Sequence, residues 1–147
     1  ATGPAIAALS EALLSAQPVP AELPGHPFYG VAQLRAQGWS REGRRAVLAH
    51  ADYSGIAPET PMERTLVAVD ELSSFVIAVA LVRPSKSLAD VEVAGVRKKM
   101  KDKAFARAVS REDIAHGAER LGLPLDELIA QVIVALRADS ARLGLAS

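Results

Sequence analysis

The sequence predicts an all-α protein, a bundle of six or seven helices around one long buried helix. Three observations lead there. Residues 60–82 form an apolar stretch that opens with a helix-start signature. Half of the chain is hydrophobic but only 4% is aromatic, and alanine is abundant, a composition that favours closely packed helices over sheet. Finally, Ser or Thr followed by an acidic residue recurs ahead of apolar runs spaced three and four apart.

The length of 147 residues suits one domain with a real core. Seventeen basic residues balance seventeen acidic ones, so no global field draws the chain to nucleic acid or to an anionic membrane. Without cysteine there is no disulfide framework and no thiolate ligand or nucleophile. The first residues lack a basic region followed by a long apolar one, so no signal peptide is read and a cytoplasmic location is expected.

In chain order, residues 4–16 predict a short helix with Ile6, Leu9, Leu13 and Ala16 on one face. Pro18, Pro20, Pro24 and Gly25 make an extended connection, a linker or a lid, because proline removes a donor and restricts its predecessor. Residues 1–25 therefore read as an N-terminal helix and linker, and 26–147 as the main helical domain. His26 stands at the N-terminal edge of the next helix, where Phe28, Val31, Ala32 and Leu34 face the core and Gly38 ends it. Ser40 caps a further helix over 41–51, with Val47, Leu48 and Ala51 inward and His50 in its last turn. A histidine there suits the negative end of the helix dipole, a structural role that stands beside any catalytic one.

In the long helix, Thr60 is the N-cap, Pro61 the first helical residue and Glu63 the acidic partner of a capping box. From Leu66 to Val82 nearly every face is apolar, so the helix belongs in a core. Asp70 and Glu71 interrupt the run and leave it too short to cross a bilayer. A carboxylate taken out of water needs a cation, a metal or several donors, and Arg44, Arg45 or a histidine are the candidate partners of Asp70.

Residues 83–86 form a hinge, and Ser87 with Asp90 begins a helix carrying Val93, Val96, Met100 and Ala104. Its other faces hold Arg97, Lys98, Lys99, Lys101 and Lys103, either a solvated basic face or a patch that meets phosphate. Ser110 and Asp113 start one more helix, ended near Gly122. Pro124 begins the last, whose stripe is Leu125, Leu128, Ile129, Val132, Ile133, Leu136 and Leu143 before Gly144 stops it.

The segments HADYSG at 50–55, ETPMERTLVAVDELSSFVIAVALVRPSKS at 59–87 and VEVAGVRKKMKDKAFARAVSREDI at 91–114 carry a family likeness. They resemble the second half of a bacterial family of small HD-domain proteins, metal-dependent phosphohydrolases, over residues 26–143. The resemblance implies a helical fold in which histidines and aspartates from different helices surround one or two divalent metals. Asp70 in AVDEL matches the late aspartate ligand, and His26 in HPFYG and His50 in AHADYSG match additional histidines of the metal-rich subgroup. The sequence departs from the family at its defining pair, since no His-Asp dipeptide occurs. The missing ligands would come from a second subunit, from another polypeptide or from chain absent before His26; otherwise the scaffold has lost hydrolysis.

Neutral imidazole and ionised carboxylate suit manganese, iron, zinc or nickel, and such a metal polarises a phosphoryl oxygen and acidifies a water. Hydrolysis of a phosphate ester or nucleotide is therefore the expected activity, with His26, His50 and Asp70 as metal ligands and Lys86, Lys98 or Lys99 at the phosphate. The alternative is a catalytically inactive helical module that associates with itself through its N-terminal helix. A phosphorylated small molecule and a second copy of the chain are the expected partners; a membrane is not. Nucleic acid is disfavoured, because the basic run lacks interleaved aromatics.

Overall fold

The computed structural model describes residues 3–146, and among these it holds seven α-helices and no strand. They are α1 (Gly3–Leu14), α2 (Phe28–Ala36), α3 (Arg41–Ala49), α4 (Pro61–Leu81), α5 (Val93–Met100), α6 (Arg111–Leu121) and α7 (Leu125–Ala138), with short 3-10 turns at Asp52–Ser54 and Leu88–Asp90. The chain divides into two compact units, Ala1–Val67 and Ala68–Ser147, a boundary that falls inside α4 and not at residue 25. No helix is long and apolar enough to cross a membrane among the described residues.

The first unit is built on Leu13 and Leu14 of α1, Phe28 and Val31 of α2, and Leu48 of α3, with Ile6, Leu9, Val47 and Ile56 packed around them. Each such side chain contributes about 1.5–3 kcal/mol on leaving water. The α1 helix, expected to stand apart from residue 26 onward, is part of this core. Its last turn carries no basic residue, so its terminal carbonyls need donors from elsewhere. Arg35 of α2 donates to Ala12 O (3.1 Å) and Gln17 O (2.8 Å), and Arg44 of α3 donates to Leu13 O (2.5 Å). Two arginines thus serve as the C-cap of a helix remote in sequence.

The Ser40 cap forms as expected, its hydroxyl accepting from Gly43 N at 3.1 Å. The capping box at the start of α4 also forms. Thr60 Oγ1 accepts from Glu63 N (3.2 Å) and Glu63 Oε2 accepts from Thr60 N (3.0 Å) and Glu59 N (2.7 Å). What the local pattern leaves unstated is that Glu63 is fully buried and that its other oxygen meets the guanidinium of Arg45, which also reaches Glu59 (3.1 Å).

In the second unit, α4 buries one stripe, Ala68, Leu72, Phe75, Val76, Val79 and Ala80, against Val96, Ile114, Ala118, Leu128, Ile129, Val132 and Ile133. The helix is therefore one-sided. Leu81 and Val82, expected in the core, are half exposed. Arg137 of α7 donates to Leu88 O, Ala89 O and Val91 O at 2.8–3.1 Å and holds that segment to the last helix.

Three boundaries differ from expectation. Ser87 caps the short 3-10 turn, accepting from Ala89 N (3.1 Å), and α5 begins only at Val93. That helix stops at Met100 instead of running to Ala104, because Asp102 Oδ1 accepts from Ala104 N (3.0 Å) and Phe105 N (3.3 Å), a local bond that competes with helical pairing. With α7 ending at Ala138, Leu143 falls outside the stripe and Leu145 takes the core position, 4% exposed.

Gly95 on α5 illustrates a replaceable glycine. A Cβ there would lie 2.6 Å from Arg83 Nη2, the far end of a flexible side chain that can swing aside. Alanine is the better helix former by about 1 kcal/mol, so Gly95→Ala is expected to leave stability unchanged or to raise it by about 0.5 kcal/mol in urea unfolding. A loss above that size would mean that Arg83 is fixed where it stands.

Candidate functional site

Among the three candidate metal ligands, the structure brings two together. His26 precedes α2 and His50 is the C-cap of α3, and the contact of α2 with α3 sets their Nε2 atoms 2.8 Å apart, the rings edge-on at 69°. His50 Nδ1 lies 2.5 Å from Val47 O. A carbonyl can only accept, so Nδ1 carries the proton and Nε2 of His50 presents its lone pair. His26 then donates from its own Nε2. Tyr53 adds a further restraint, its hydroxyl donating to His26 O at 2.8 Å. This places the 3-10 turn of Asp52–Ser54 under the histidine and holds the ring's backbone in place. His26 is exposed and His50 half-buried, so solvent reaches the pair.

Asp70 belongs to the second unit, exposed on α4. The expectation that burial forces a partner on it is therefore corrected: a hydrated carboxylate needs none. The two arginines considered for it are engaged in the first unit, Arg44 with Leu13 O and Arg45 with Glu63. Its neighbour Glu71 is the half-buried carboxylate of the run, and it accepts from Ser110 N at 3.2 Å, where the chain enters α6. Among the described residues there is no group of three or more His, Asp or Glu side chains that could hold a metal ion.

The strongest electrostatic perturbation lies at Glu63. Burial works to raise its pKa, but the hydrogen bond from Arg45, the backbone donors of Thr60 and Glu59 and the Arg45 charge outweigh it and hold the carboxyl at about 2. Arg45 is correspondingly pushed up by the hydrogen bond with Glu63. An ion pair so tied to a helix start is architecture, not a poised acid or base.

The proposed phosphate contacts separate. Lys86 is exposed at a φ of +50° beyond α4, an arrangement uncommon for a non-glycine residue. Lys98 and Lys99 occupy the last turn of α5, where positive charge suits the helix dipole, and Lys99 Nζ lies 4.8 Å over the ring of Phe105. Next to them is a feature that sequence reasoning missed. A cleft of about 360 Å³ is lined by Met100, Lys101, Lys103, Arg107, Val109 and Arg111. The run of cations was legible, but Arg107 and Arg111 join it only because the 101–110 loop folds back. Comparison with protein-family models, with curated proteins and with solved structures found no match.

Proposed function

We propose that this chain is a divalent-metal-dependent phosphohydrolase of the HD type, acting on a phosphate ester or nucleotide. The observation that supports the reading is the approach of His26 Nε2 to His50 Nε2, 2.8 Å, at a solvent-accessible surface. Both Nε2 atoms would hold one divalent ion once the rings turn their lone pairs toward a common point. His50 already has the outer bond typical of a metal-bound imidazole, Nδ1–H to a backbone carbonyl. His26 and His50 would serve as two ligands within the first unit; Asp70, in the second unit, is named as a ligand by the family likeness alone.

When bound, the metal would polarise a phosphoryl oxygen of the substrate. The chain's own part is orientation. Val47 O fixes the tautomer of His50, Tyr53 restrains His26 through its carbonyl, and the α2 and α3 contact keeps both nitrogens on one side.

The test is metal content followed by titration of the purified chain with manganese, iron, zinc or nickel. Near-stoichiometric binding is expected, with His26→Ala and His50→Ala each weakening it at least about a hundredfold while helical circular dichroism is unchanged. A chain that takes up none of the four metals, or a double variant that binds as well as the wild type, ends the proposal. A screen of nucleotides and simple phosphate esters with the loaded protein then reads the activity.

A second reading, a non-catalytic module that associates with itself, is favoured by Tyr29, Trp39 and Tyr53, each more than half exposed in the first unit. Exposed aromatics are enriched at interfaces. Sedimentation of the wild type beside Trp39→Ser separates the two, since only the module loses mass on that change.

A further inference from the structure

The basic cleft of the second unit goes beyond the metal-dependent reading and uses none of its residues. Between Lys98 and Arg107 the chain places five cations and one carboxylate, Asp102. That carboxylate is not among the cleft's lining residues, and its Oδ1 is turned onto the backbone N–H groups of Ala104 and Phe105. The cleft wall therefore carries Lys101, Lys103, Arg107 and Arg111 and no acidic side chain, over a floor of Met100 and Val109. Among the described residues the ion pairs involve other arginines, so Lys101, Lys103 and Arg107 are exposed and their charges uncompensated. In a chain of zero net charge, such a local concentration is not a by-product of composition.

The loop that presents these charges is held in shape beforehand. Arg111 donates through Nη1 to Ala106 O and Val109 O (both 2.7 Å) and through Nη2 to Asp102 O (3.3 Å) and Phe105 O. One guanidinium thus satisfies four carbonyls of the loop, and it stacks 4.7 Å from the ring of Phe75 in the core. Its four Nη donors are engaged by the loop, so Arg111 is a positioning residue that adds charge to the cleft. Lys101, Lys103 and Arg107 keep all of theirs. A rigid cationic concavity avoids the ordering cost that flexible lysines meet on binding an anion.

We propose that this cleft binds a small molecule carrying two or more linked phosphates. Three cations facing one concavity match a chain of phosphates better than a single one, and Arg107 supplies the forked donor that phosphate oxygens accept. The volume of about 360 Å³ lies in the range of small-molecule sites. A nucleic acid is the weaker occupant, because the one aromatic ring of the region, Phe105, is half-buried and engaged by Phe75 (5.4 Å) and Lys99, leaving no platform for a base.

The experiment is calorimetric titration of the whole chain with inorganic tripolyphosphate, at low and at physiological ionic strength, with orthophosphate alongside. Tripolyphosphate is expected to bind at least about tenfold more tightly than orthophosphate. Lys101→Gln, Lys103→Gln and Arg107→Gln are surface changes that leave the fold intact, and each is expected to weaken binding about five- to tenfold. Arg41→Gln, an exposed change of equal charge in the first unit, and His50→Ala should bind as the wild type does. That last variant separates this proposal from the fate of the histidine site. No binding of tripolyphosphate overturns it, and so does equal weakening by Arg41→Gln, which would mean diffuse attraction. Tighter binding of a single-stranded oligonucleotide, lost in the same three variants, would also overturn it by assigning the patch to nucleic acid.

Discussion

Replacing Arg45 with methionine is expected to cost about 3–5 kcal/mol of stability at neutral pH, the largest effect of any single change considered for this chain. The reason is what remains. Glu63 has no exposed surface, and without Arg45 its carboxylate keeps only the backbone donors of Glu59 and Thr60. Domains of this size hold about 5–15 kcal/mol in total, so the loss should move the urea midpoint far down.

The pH dependence gives the change a signature. In the wild type the carboxyl is held at about 2, below its ordinary 4.5, so it contributes stability above pH 4.5 that is lost as pH falls through about 2. That contribution is on the order of 3 kcal/mol. In Arg45→Met the opposing effect of burial prevails and protonation now relieves a buried charge. The gap between the two proteins is therefore expected to narrow on acidification from pH 4.5 toward 2. A second change makes the test sharper. Glu63→Gln in the Arg45→Met background removes the stranded charge and keeps an acceptor for the helix start, so the double variant should be at least as stable as the single one. If it is less stable, Glu63 is not the cause of the loss.

The second large effect lies at Gly117 of α6. A Cβ there would meet Ala68 Cα at 2.7 Å, Ala68 Cβ at 3.1 Å and Ala68 O at 3.3 Å. Helix propensity alone favours Gly117→Ala by about 1 kcal/mol. The obstacle is the backbone of α4, which cannot rotate away, so the overpacking cost of about 1–3 kcal/mol is met at its upper end and the net loss is expected near 2 kcal/mol. Gly117→Val should cost more. Adding Ala68→Gly removes the 3.1 Å contact but leaves the one with Cα, so rescue is expected to be partial. Chemical unfolding of the four proteins checks this, and a neutral Gly117→Ala would show that the helices are free to part. Gly95→Ala is the counterpart with the opposite outcome, because there the obstacle is the end of a side chain.

Much of the local structure was legible in the sequence. Ser40, Thr60 with Glu63, and Ser110 each act as the caps their spacing predicts, and Gly122 ends α6 at a φ of +68°. Such signals involve residues three or four apart, where chain connectivity alone brings the groups together. The stripe of Leu128, Ile129, Val132 and Ile133 was likewise readable from its period. The histidine pair was legible only as two separate residues. His26 and His50 were singled out by likeness to a family, and their distance of 2.8 Å was not readable from residues 24 apart.

What the sequence by itself determined is the helical class, the capped starts of α3, α4 and α6 and the apolar stripe of α7, because propensity, capping and periodicity act over a few residues. What only the tertiary structure decided are the pairings across distance: Glu63 with Arg45, Arg35 and Arg44 on the end of α1, Arg111 across its own loop, Gly117 against Ala68, and Asp70 in water. A charged residue in an apolar run looks equally costly wherever it falls. Whether it is stranded, paired or hydrated depends on which face of its helix it occupies and on what the rest of the chain brings to that face.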